Sequence, residues 1–122
     1  MWEPQTLYQQ TAVLTDDPDE LALRLYRRTI TLAELAREAI DQTQWDKLVQ
    51  WGSKAQDIFW AMAQISRTED PQGKAFAQTN LYAWQCWQKV QFSHDLAALQ
   101  AAKQVSLDLS AQLARRLGQE AL

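Results

Sequence analysis

Between Asp17 and Asp41 the apolar residues recur at helical spacing. At 100° per residue, Leu35, Leu21, Leu32, Leu25, Ala36, Thr29, Ile40, Ala33, Tyr26, Ile30 and Leu23 fall on one arc of about 240°. Glu20, Arg24, Arg27, Arg28, Thr31, Glu34 and Glu38 fill the remainder, and only Arg37 intrudes on the apolar side. A surface helix needs a stripe of roughly 100° or a little more. This helix is therefore either central in a bundle or covered partly by something else. Its start is well marked: Asp17 as N-cap, Pro18 at the first helical position and Glu20 at the third, with the carboxylates also favoured by the positive end of the helix dipole.

Three further helices follow the same logic. A short connection, Asp41 to Gln44, leads into a helix over about Trp45–Ser66. Its apolar spacing is carried by Trp45, Leu48, Val49, Ala55, Ile58, Phe59, Met62 and Ile65. Gly52 in its middle costs about 1 kcal/mol against Ala, or permits a close helix approach. Arg67 to Gly73 reads as a loop with Pro71 and Gly73 as breakers. A third helix spans about Lys74–Phe92, with Phe76, Ala83, Trp87 and Val90 on one face and Tyr82 and Cys86 beside it. Ser93-His94-Asp95 makes a short break. The fourth helix aligns Leu99, Ala102, Ser106, Leu109, Leu113 and Leu117 and ends at Gly118, a left-handed stop. Four helices of about 20 residues with short connections form an antiparallel four-helix bundle. The fold class is all-α over residues 17–118, with residues 1–16 as an extended or short helical cap segment of the same single domain.

Composition agrees. The chain has 122 residues, is 47% hydrophobic and 22% charged, and holds only three glycines and three prolines, which suits a helical globular domain. No apolar run approaches the 18 or more residues of a membrane span, and no signal-peptide pattern opens the chain. The reading is a cytoplasmic protein without membrane insertion. A net charge of −3 and no basic run argue against nucleic acid as a partner.

Catalytic chemistry finds little to work with. The acidic pairs Asp16/Asp17, Asp19/Glu20 and Glu69/Asp70 sit at a helix start or in a loop, where capping and solvation explain them. One cysteine, Cys86, excludes an internal disulfide, and one histidine, His94, excludes a histidine-rich metal site. Cys86 lies on an apolar flank without an acid–base pair, which marks a structural thiol. No cofactor, no metal and no enzyme activity are expected. The oddity is six tryptophans. At helical spacing, large rings fill a bundle core, but Trp51 and Trp60 lie off the main stripe of the second helix. Rings in that position can anchor a partner.

The run Tyr8-Gln9-Gln10-Thr11-Ala12-Val13-Leu14-Thr15, then Asp17-Pro18-Asp19-Glu20-Leu21, then Leu23-Arg24-Leu25-Tyr26 closely resembles the N-terminal signature of the FliS family of flagellar secretion chaperones. That signature reads roughly Y-x-x-x-x-V-x-T-A-S-P-x-x-L-x-x-M-L-Y-D-G. Lys54-Ala55-Gln56-Asp57-Ile58 is similar to the family's K-A-Q-x-I on the second helix, and Leu81-Tyr82-Ala83-Trp84 to its L-Y-D-Y on the third. The resemblance covers nearly the whole chain. Departures concentrate at Arg27-Arg28, where the family has D-G, and around Ala83-Trp84 and Trp87-Gln88.

The resemblance implies a cytosolic export chaperone. It would bind the C-terminal segment of flagellin, block premature polymerisation and deliver the subunit to the type III export apparatus, with an export-gate component or co-chaperone as a further partner. The alternative is a helical adaptor of the flagellar system with a different protein client. Carried over by position, Tyr8 and Val13 would form a detachable cover. Leu21, Leu25, Tyr26 and Ile30 would belong to the client groove on the first helix, Ala55 and Ile58 on the second, and Trp84 on the third. Plain bundle packing is the competing reading for Leu21, Leu25 and Ile58.

Overall fold

The computed structural model describes residues 17–66 and 69–118, and its four helices are α1 (Pro18–Asp41), α2 (Trp45–Gln64), α3 (Pro71–Ser93) and α4 (Leu96–Arg116). Among the described residues there is no strand. Each helix packs against the next in the chain, and α4 returns to α1, so the four stand at the corners of a square. This is the expected antiparallel bundle.

The helix starts follow from local chemistry. Asp17 has extended backbone, and its carboxylate accepts from the amides of Asp19 (2.9 Å) and Glu20 (3.4 Å). Those amides have no partner inside the helix, so the cap satisfies them. The same device opens α3. Asp70 accepts from the Gly73 amide at 2.6 Å, and Pro71 occupies the first turn. Pro71 and Gly73 therefore lie inside the helix, and α3 begins three residues before the Lys74 that the breaker reading predicts. Proline is tolerated there because its missing N–H would have had no partner. Asp95 caps α4 through the Ala98 amide at 3.0 Å. Ahead of it, His94 takes a left-handed φ of 53° and closes α3 by donating its backbone N–H to the Val90 carbonyl. Gly118, at φ 73°, follows the end of α4 as expected.

Packing then uses the wide apolar arc of α1. Leu21, Leu23, Leu25, Tyr26, Leu32 and Ala36 are all buried, while Ile30, Leu35 and Ile40 keep part of their surface. The arc is wide because α1 meets α2 on one side and α4 on the other, and reaches across the square to α3. That reach is polar. The Tyr26 hydroxyl donates to Asn80 Oδ1 at 2.7 Å, and Asn80 Nδ2 donates to the Phe76 carbonyl at 2.8 Å. Thr29 and Ser106 share a hydroxyl–hydroxyl bond of 2.7 Å between α1 and α4. Fully buried Trp87, Phe59, Leu48 and Val90 fill the rest of the centre.

Gly52 answers the question its position raises. A Cβ there would fall 2.5 Å from Cγ of Gln91 on α3. The glycine seats that side chain, whose amide donates to Gln56 Oε1 (2.6 Å) and whose carbonyl accepts from Ser53 (3.2 Å). Gln56 in turn donates to the Trp84 carbonyl at 3.1 Å. A glycine in mid-helix thus permits a polar seam between α2 and α3.

Candidate binding cleft

The sequence of α3 changes character half-way along. Its first half offers Gly73, Ala75 and Thr79 toward α4, with Phe76 the one large ring, whereas its second half carries Trp84, Trp87 and Val90. Small side chains cannot fill the space between helices that large ones hold apart further on. The result is a cleft of about 840 Å³ at one end of the bundle. That volume is within the range of ligand pockets.

Its walls come from all four helices. α4 contributes two parallel rows at four-residue spacing. Val105, Leu109 and Leu113 form an apolar row, and Asp108, Gln112 and Arg116 a polar one. From Val105 to Arg116 the wall runs about 16 Å, at 1.5 Å per residue. Met62 and Ile65 from the end of α2 and Ala22 from the start of α1 complete the apolar lining, and Ile65 is 38% exposed. Asp19 and Asp70 stand at the mouth, where Asp19 holds Arg116 at 3.4 Å.

Residues 2–112 match the family model of flagellar protein FliS. The chain belongs to the FliS family. No curated protein matches it in a direct comparison. FliS is a family of flagellar export chaperones, proteins that bind flagellin, and the all-helical fold described above agrees with it. No helix among the described residues is long and apolar enough to cross a membrane, and no cluster of His, Cys, Asp and Glu there is suited to a metal ion.

None of the described residues singled out by resemblance to FliS lines the cleft. Tyr8 and Val13 fall outside the described residues. Leu21, Leu25, Tyr26, Ala55 and Ile58 are core residues with at most 6% of their surface exposed. Ile30 and Trp84 are half-buried, Ile30 on α1 and Trp84 against Trp60 on the outer α2–α3 seam, with ring centroids 6.0 Å apart. Of the tryptophans described, only Trp87 is fully buried; Trp45 and Trp60 keep about two-fifths of their surface. Trp51 lies under the Lys54 ammonium at 5.2 Å, and Trp45 stacks on His94 at 3.9 Å. Sequence reasoning assigned Met62, Ile65 and Phe76 to helix packing and did not single out the cleft. The available signal was the run of small residues on α3 opposite an unbroken apolar row on α4.

Two titrating groups respond to this packing. Burial pushes the Tyr26 phenol well above its ordinary value, against the opposing pull of its bond to Asn80. Partial burial likewise raises the Asp57 carboxyl on α2.

Proposed function

We propose that this FliS-family chain is a cytosolic chaperone that binds the C-terminal segment of flagellin, keeps it from polymerising, and supports its delivery to the type III export apparatus. The observation that carries the reading is the open cleft beside α4, about three helical turns long, with an apolar row along its α4 wall. Helix-in-groove recognition needs such a surface, with anchors from one face of the client's helix.

Residues 1–16 join the bundle at Asp17, next to Pro18 and Asp19 on the rim of the cleft. In this reading Tyr8 and Val13 cover apolar surface until a client displaces them. Ile30 and Trp84 offer contact surface to a client long enough to extend beyond the cleft. Leu21, Leu25, Tyr26, Ala55 and Ile58 act from within, holding the helices that frame it. A further partner, such as an export-gate component or co-chaperone, would use surface left open in the complex.

The adaptor reading is favoured by one observation, the Trp60–Trp84 pair at a position where the family motif has tyrosine. Mixing the protein with the C-terminal segment of flagellin from the same organism separates the two. A shift in size-exclusion elution and a calorimetric binding heat at micromolar concentration are expected. Absence of both would sink the chaperone reading. Deleting residues 1–14 should leave client affinity unchanged or raise it, while lowering the stability of the free protein. A collapse in affinity would mean that the segment contacts the client directly.

A further inference from the structure

The cleft has a mixed lining, with Met62, Leu109 and Leu113 nearly buried at its floor, and its charged lining is unbalanced. It carries three carboxylates, Asp19, Asp70 and Asp108, against one guanidinium, Arg116. Arg116 is already engaged, 3.4 Å from Asp19. Asp70 accepts from the Gly73 amide, and Asp108 from Gln104 Nε2 at 2.9 Å. Neither forms an ion pair among the described residues. Just before Asp70 in the sequence, Arg67 and Glu69 cancel in formal charge. Two carboxylates thus line the cleft together with the apolar row of α4, one on α4 and one at the start of α3.

We propose that the cleft selects a cationic amphipathic helix, a client segment of about three turns that carries Lys or Arg beside its apolar stripe, opposite Asp108 and Asp70. This deepens the chaperone reading and rests on its assignment of the cleft. The chain's own first sixteen residues contain Glu3 and Asp16 and no lysine or arginine. As a cover they match the apolar floor but not the rim. A cationic client gains what the cover cannot, and the rim thereby biases exchange toward the client. Charges at a rim act chiefly on encounter rate, register and partner choice, and the chain's net charge of −3 adds to the attraction.

The test is calorimetric titration of the full chain with the flagellin C-terminal segment at low and high salt. Wild type is compared with D70N/D108N, and with D108K. Asparagine caps a helix as well as aspartate does, so the thermal midpoint of the double variant should match wild type. Two rim pairs at the scale of exposed ion pairs correspond to a loss of roughly two- to thirtyfold. We expect that loss at low salt, a flattened salt dependence in D70N/D108N, and a larger loss in D108K. Binding by both variants with wild-type affinity and salt dependence overturns the inference while leaving the chaperone reading standing. If the flagellin segment does not bind wild type at all, the chaperone reading fails. The rim is then probed with two designed three-turn amphipathic peptides, one flanked by Lys and one by Glu. Preference for the Lys peptide supports the inference, and equal binding or none overturns it.

Discussion

Replacing Tyr26 with Phe removes one oxygen from the centre of the bundle. The ring stays, along with its contacts to Phe59 and Phe76 at centroid distances of 6.0 and 6.3 Å, so no cavity larger than a hydroxyl opens. What is lost is the 2.7 Å bond to Asn80, whose side chain is fully buried. A neutral hydrogen bond contributes about 0.5–1.5 kcal/mol net, but stranding its buried partner costs about 1–3 kcal/mol. Tyr26→Phe should therefore cost about 1–3 kcal/mol, a fall of about 4–12 °C in Tm for a domain of this size. Asn80→Leu should cost at least as much, because it strands the Tyr26 hydroxyl. The double variant removes both polar ends, so its cost should be well below the sum of the two singles. Equilibrium urea denaturation of all four proteins gives the coupling directly. Additive losses, or a Tyr26→Phe cost under about 0.5 kcal/mol, would refute the claim that this bond ties α1 to α3.

The same pair predicts an alkaline limb. The phenol ionises near 10.0 in the unfolded chain but is held protonated well above that by burial in the fold. Its contribution to stability is intact below pH 10.0 and is lost as pH rises beyond it. Tyr26→Phe should lack this component, and tyrosinate absorbance should show one late-titrating phenol fewer than in wild type.

Three further outcomes follow from local geometry. Asp70→Ala removes the α3 cap and should lower stability by about 0.5–2 kcal/mol in urea melts, while Asp70→Asn should be close to neutral. Gly52→Ala gains up to about 1 kcal/mol of helix propensity but drives a Cβ to within 2.5 Å of Gln91 Cγ, and overpacking of that kind costs about 1–3 kcal/mol; a net loss is expected, with recovery in Gly52→Ala/Gln91→Ala. Asp57→Asn should raise Tm at neutral pH. Burial raises the Asp57 carboxyl above 3.8, so the ionised form is penalised in the fold, and the gain should vanish as pH falls to the unfolded value and both states become protonated.

Helix number, order and approximate ends were legible because each apolar stripe is regular and Asp17-Pro18 is an unambiguous start. The start of α3 was misplaced because Pro71 and Gly73 punctuate a sequence in two opposite ways. Only the Asp70 carboxylate reaching the Gly73 amide distinguishes a first turn from a break. The bonds from Tyr26 to Asn80 and from Thr29 to Ser106 join residues 54 and 77 positions apart, and no local pattern announces them. The cleft was hidden for the same reason. Gly73, Ala75 and Thr79 are unremarkable along α3 and matter only because the Val105–Leu109–Leu113 row faces the space they leave. The N-terminal motif identified the family well, yet its described apolar members Leu21, Leu25 and Tyr26 turn out to build the core.

An even number of antiparallel helices brings the two ends of the described bundle together, and the Asp19–Arg116 pair spans them at 3.4 Å. Both ends therefore meet at the mouth of the cleft. An affinity handle joined close to Asp17 or to Gly118 would be leashed beside the proposed binding surface, where a short flexible linker produces millimolar local concentration. Titrations with handles retained will report competition from the handle together with client binding. The same geometry suits a single-chain complex. A linker of about ten flexible residues has a root-mean-square span near 17 Å, about the length of the α4 wall. A client segment spliced to either terminus could dock in cis, giving one stoichiometric polypeptide for structure determination.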